Sequence, residues 1–160
     1  MNITEEYNVF LAQVRKETGI EAFSADESGL VSVNVDGCYN VNLQCVEATG
    51  KVLCFIEIAQ LPKDASRAVY RDLLVGGLFG KDTAGGYFSL EPETETVVYN
   101  YLFDLKTAAN DVEEFVHTIE KILQLCDIWA ERIKGNMADD GGGGNSASGE
   151  MPAGHTIFRA

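Results

Sequence analysis

The chain has 160 residues and sets 25 Asp and Glu against 12 Lys and Arg, a formal net charge of -13 with a pI near 4.4. This acidity excludes the clustered basic surface that nucleic-acid phosphates or anionic membranes require, and the 46% apolar share excludes wholesale disorder. The length suits one domain carrying a tail.

The N-terminal residues Met1-Asn2-Ile3-Thr4-Glu5-Glu6 show neither the basic nor the apolar region of a signal peptide. No window approaches the roughly 18 consecutive apolar residues of a membrane helix, so a cytosolic protein is expected. Ile3, Tyr7, Phe10, Leu11 and Val14 recur at helical spacing, which predicts an amphipathic helix over 3–18. Asn2 and Glu5 form a capping-box pattern at its start, and Gly19 stops it.

Three strands follow. Val31, Val33 and Val35 alternate with polar residues up to Asp36-Gly37, the dipeptide that two-residue hairpin turns prefer. Tyr39, Val41, Leu43 and Cys45 alternate in the second strand, and Ala48-Thr49-Gly50-Lys51 is a turn. The mostly apolar run from Val52 to Leu61 reads as a strand central in the sheet or buried on both faces, and Pro62 ends the meander. A second helix is predicted from Ala65, capped by Asp64 or Ser66, to about Leu78, with Val69, Tyr70, Leu73 and Leu74 as its apolar stripe. Beyond the loop 82–86, Tyr87 to Leu90 and Thr96 to Phe103 read as a hairpin around an acidic turn.

The strongest period runs from Asp111 to Ile133 through Val112, Phe115, Val116, Ile119, Ile122, Leu123, Cys126 and Trp129. Asn110 with Glu113 supplies a capping pattern and Gly135 a stop. From residue 135 onward the composition shifts to Gly, Asn, Ser and Asp, with glycines at Gly141 through Gly144. The expected organisation is therefore a domain over 1–134 and a flexible tail over 135–160. The tail's apolar end, Ile157-Phe158, reads either as a short docking motif or as a chain end without a role.

Chemistry-bearing patterns are missing. Cys38, Cys45, Cys54 and Cys126 have no metal-ligand spacing, and they read as small apolar packing residues. Gly80-Lys81 fails the phosphate-loop pattern, since Val75 stands where glycine is required and Asp82 where Ser or Thr is required. His117 lies off the apolar stripe of the last helix, and Glu91, Glu93 and Glu95 surround an exposed turn. No catalytic residue, metal ligand or cofactor site is expected, which favours a binding module over an enzyme.

The order α-βββ-α-ββ-α, an α+β fold with a curved antiparallel sheet flanked by helices, resembles the class I type III secretion chaperones (the CesT/SycE, or Tir chaperone, family). The resemblance is carried by Asp36-Gly37, Leu61-Pro62, Tyr70-Arg71-Asp72-Leu73-Leu74, Gly76-Gly77-Leu78-Phe79-Gly80, the stretch Thr83 to Glu93, and Phe115-Val116 with Trp129 and Arg132. It covers about residues 3–134, and some members share a glycine-rich extension. Gly77 stands where the family often has Asn, so the second helix is expected to end early.

The resemblance implies a homodimer without nucleotide or metal. That dimer would hold the N-terminal region of a secreted effector in extended form, keep it export-competent in the bacterial cytosol, and pass it to the export ATPase complex. For cargo it points to the first helix and the meander, through Tyr7, Phe10, Val14, Val33, Val41 and Leu43, residues that could equally pack that helix on the sheet. For dimerisation it points to Val69, Leu73, Leu74, Leu78 and Phe79, with Gly76 and Gly77 allowing a symmetry mate's backbone to approach. A regulatory module on the same fold that sequesters a folded partner, and a small enzyme with an unmarked site at Cys126 or His117, are the alternative readings.

Overall fold

The first helix, α1 (Ile3–Thr18), is closed at both ends by its own sequence. Asn2 Oδ1 accepts from the Glu5 amide at 2.9 Å, and Glu5 Oε2 accepts from the Asn2 amide at 3.0 Å. Gly19 leaves the helix at φ 71°, a conformation that glycine adopts without a Cβ penalty. The chain is described here by a computed structural model over residues 1–138, and of the tail expected over 135–160, residues 139–160 lie outside the described residues.

Strands β1 (Leu30–Val35), β2 (Tyr39–Val46) and β3 (Lys51–Gln60) form the expected meander. Their alternation puts Val31, Val33, Val41, Leu43, Val52, Cys54 and Ile56 on one buried face. The first turn differs from the two-residue expectation. Val35 pairs with Tyr39, so Asp36, Gly37 and Cys38 all lie in the loop, with positive φ at Asp36 and Gly37. Cys38 is consequently exposed and packs nothing, whereas Cys54 and Cys126 are buried.

Helix α2 (Arg67–Gly76) starts two residues later than predicted, and the Ser66 hydroxyl makes no capping bond. It ends at Gly76, early as expected from the departure at Gly77, and a 3-10 turn over Leu78–Gly80 follows. Strands β4 (Tyr87–Glu91) and β5 (Thr96–Asp104) complete an antiparallel sheet of order β1-β2-β3-β5-β4. β3 is thus central, and β1 and β4 are the edges.

Two further differences concern the last helices. A short helix, α3 (Leu105–Asn110), occupies a stretch without predicted structure, because Asp104 accepts from both the amide and the hydroxyl of Thr107 at 2.9 Å. These bonds and Lys51 at 3.3 Å hold the Asp104 carboxyl at a pKa of about 2. Helix α4 (Val112–Ala138) is capped by Asp111, not Asn110, through Oδ1 to the Glu114 amide at 3.0 Å. It also runs through Gly135 to Ala138. Glycine inside a helix costs only about 1 kcal/mol relative to alanine, and Asn136 ties the last turn to Asp72 at 2.9 Å. The 27 residues of α4 give a rod of about 40 Å.

Between α1 and the sheet, the Tyr7 hydroxyl is buried and has no hydrogen-bond partner among the described residues. Burial raises its pKa well above the usual phenol value. An unpaired buried hydroxyl opposes folding, so Tyr7→Phe is expected to leave stability unchanged or raise it by about 1 kcal/mol. Chemical denaturation checks this, and a loss of more than about 1 kcal/mol would show that the hydroxyl is satisfied.

Candidate partner-binding surfaces

The residues singled out for cargo lie under the surface. Tyr7, Phe10 and Val14 project from α1, and Val33, Val41 and Leu43 from β1 and β2, into one core where each is at most 2% exposed. As placed, they fix α1 to the sheet. What α1 and the meander leave open is the outer helix face, including the exposed Val9, and the unpaired edge of β1.

The residues singled out for dimerisation divide by helix face. Val69 and Leu73 are buried and hold α2 on the domain. Leu74 is 79% exposed, Leu78 58% and Phe79 95%, and Val75, not singled out from the sequence, is 54% exposed. Four large apolar side chains are thus bare within six consecutive residues. Scattered single apolar residues on a surface need no explanation, but a contiguous patch marks an interaction site. Phe79 also sits at φ 58° and ψ 14° inside the 3-10 turn, a conformation that costs a non-glycine residue roughly 1–3 kcal/mol.

The patch is mounted on a rigid base. Gly76 is buried, and a Cβ built on it would overlap the Trp129 ring, so its missing side chain serves α4 of the same chain. This replaces the expectation that Gly76 admits a symmetry mate; Gly77 is exposed and meets only its own helix's carbonyls. The Trp129 indole donates to the Asp82 carbonyl at 2.9 Å, and the Arg132 guanidinium lies 4.0 Å from the Trp129 ring centre. Arg132 also clasps Asp72 of α2 with two hydrogen bonds, and Asn136 makes a third. The Thr83–Gly86 loop is locked in the same region, where the Tyr99 hydroxyl donates to the Thr83 carbonyl at 2.7 Å. Gly86 lies so close to that ring that a Cβ would collide with it. The family-like glycine stretch is therefore a packing device.

Catalytic chemistry finds no support in this arrangement. Burial pushes the Cys54 thiol up to about 12 and raises Cys126 further still, which disfavours the nucleophilic thiolate. His117 is exposed and faces Glu120 at 3.8 Å. Among the described residues no cluster of His, Cys, Asp and Glu could hold a metal ion, and no helix is long and apolar enough to cross a membrane.

A sheet with helices on one face, an open edge strand and a bare apolar strip defines a protein that binds other chains. Residues 9–130 match the Tir chaperone protein (CesT) family. The chain belongs to that family and is a chaperone of the type III secretion class, not an enzyme. Comparison with curated proteins gives no match.

Solved structures show the same fold. A chain of the ExsC–ExsE complex superposes with a TM-score of 0.71 at 19% identity, covering 83% of this chain and 97% of that one. A chain of the HopA1–SchA chaperone–effector complex gives 0.62 at 16%, covering 82% and 95%. A chain of the Yersinia pestis complex of the type III secretion chaperone SycH with a fragment of YscM2 gives 0.56 at 16%, covering 74% and 98%.

Proposed function

We propose that the chain works as a homodimer in the bacterial cytosol, where it binds the N-terminal region of one or more secreted effectors in extended form and keeps them competent for export. The dimer forms through Leu74, Leu78 and Phe79, with Val75 beside them and with Val69 and Leu73 seating the helix beneath. The observation that carries this reading is the bare apolar strip on a braced helix, in a chain of the Tir chaperone family.

Cargo runs over α1 and the meander, whose buried side chains Tyr7, Phe10, Val14, Val33, Val41 and Leu43 hold the platform in shape. The free edge of β1 offers main-chain hydrogen bonds to an extended segment, and neighbouring surface gives pockets for alternate side chains. An unstructured partner loses ordering entropy when it binds, so a large contact area is needed, and a dimer doubles the area available. The loaded complex then hands its cargo to the export ATPase complex. Two of the similar structures support the reading, one described as a chaperone–effector complex and one as a type III secretion chaperone with a bound fragment.

A tagged chain retrieved from its native bacterium should retain a secreted protein whose N-terminal region alone suffices for binding. Retention of a folded, non-secreted partner would replace this reading with a sequestering regulator. No retained partner at all, with the dimer intact, would end it.

A further inference from the structure

An apolar trough of about 300 Å³ lies between β5, α3 and the start of α4. Tyr101, Phe103, Ala108 and Phe115 line it. Its aromatic rings form a continuous row of tilted and edge-on contacts, with centroids 4.7 Å apart for Tyr101–Phe103 and for Phe103–Phe115. Phe115 in turn meets Phe10 of α1 at 4.9 Å.

The trough does not end at this row of rings. Asp111 and Glu114 line it and also line a second cleft, of about 460 Å³, whose wall adds Glu17, Glu113 and Glu120. Among the described residues no Lys or Arg lines either hollow, and His117 is the only lining side chain that can gain a positive charge.

Helix stability accounts for part of this acidity. Asp111 caps α4, and Glu113 and Glu114 in its first turn suit the helix dipole. Glu17 has no such role: it stands in the last turn of α1, the end where a carboxylate opposes the dipole. Carboxylates from two helices therefore converge beside an apolar floor, with no cation of the domain among the lining residues to neutralise them.

We infer that this joined trough and cleft is a docking site for an extended polypeptide segment in which apolar residues are followed by Arg or Lys. The inference rests on the chaperone reading above and specifies one class of segment that such a partner presents. The apolar side chains fill the ring-floored trough, and the cations reach the carboxylate wall. The chain's net charge of -13 draws such a segment in from a distance, and the local wall fixes its direction along the groove.

The probe is a fluorescein-labelled peptide of sequence Gly-Leu-Ile-Gly-Arg-Arg-Gly, titrated by anisotropy against the full chain. Saturable binding is expected, weakened by added salt. The triple variant Glu17→Gln, Glu113→Gln, Glu114→Gln should bind about tenfold more weakly, with its circular dichroism spectrum unchanged. A peptide with Glu-Glu in place of Arg-Arg should not bind.

No binding, or binding equally tight to the triple variant, would overturn the proposal. Binding seen only after residues 139–160 are removed would overturn it too, by assigning the groove to the chain's own end. Retention of a secreted partner from the native bacterium is read separately, so the groove can fail while the chaperone reading stands.

Discussion

Leu74→Asp should leave the chain folded and make it monomeric. Leu74 is 79% exposed in the single chain, so a carboxylate there stays solvated and the fold loses almost no burial. In the proposed dimer the same carboxylate would be removed from water without a partner, and truncating or charging a central apolar anchor of an interface costs about 2–4 kcal/mol or more. That weakens association by roughly 30-fold to 1,000-fold.

Phe79 permits a sharper version. Its left-handed backbone is strained for phenylalanine and free for glycine, so Phe79→Gly should raise the stability of the isolated chain while weakening the dimer. A purely structural role for Phe79 would move both quantities in the same direction. Sedimentation equilibrium, with thermal melts of the dilute protein, separates the two. A Leu74→Asp chain that sediments as an unchanged dimer would remove the strip from the interface, and a Phe79→Gly dimer of undiminished affinity would remove Phe79.

Local chemistry made α1, the meander and most of α4 legible in the sequence. A capping pattern at Asn2 and Glu5, an alternation through β1 and β2, and a long helical period each depend on near neighbours alone. What could not be read were choices decided across the fold. Asn110 and Asp111 both suit a cap, and the short α3, which takes in Asn110 as its last residue, settles which one is used. Gly135 looks like a stop, yet the helix passes it because Asn136 finds Asp72 on α2.

The apolar stripe of α2 was visible, but not which of its residues face inward. Val69 and Leu73 meet the domain, while Leu74, Leu78 and Phe79 stay bare. The cargo candidates illustrate the same limit. Alternation identifies the apolar face of β1 and β2 but not what covers it, and in the single chain that face is buried in one core shared with α1 and α4. The acidic groove was missed because its carboxylates belong to separated stretches that only the packing of α1 against α4 brings together. The one early sign was the wrong-ended charge of Glu17.

The largest loss of stability should come from Trp129→Ala. The ring is 1% exposed, touches Phe88 edge-on at a centroid separation of 4.7 Å, donates to the Asp82 carbonyl and carries the Arg132 guanidinium. Emptying such a site costs about 3–5 kcal/mol, a large part of the 5–15 kcal/mol that holds a typical domain together.

Gly76→Ala tests the same contact from the other side, and two effects oppose each other there. Alanine favours a helix over glycine by about 1 kcal/mol, so propensity alone predicts stabilisation. The new Cβ, however, overlaps the edge of the Trp129 ring, and overpacking of a filled core costs about 1–3 kcal/mol. Sterics should win, because neither Trp129, held by Asp82 and Arg132, nor α2, held by Asp72, can give way cheaply. The melting temperature should therefore fall. In the double variant Gly76→Ala, Trp129→Phe the penalty from the Cβ should shrink, since the smaller ring vacates its position. The displaced α2 also carries the apolar strip, so Gly76→Ala should loosen the dimer without touching any interface residue. A Gly76→Ala chain that melts higher than the parent would show that α2 yields at this point, and the braced platform beneath Leu74 and Phe79 would have to be abandoned.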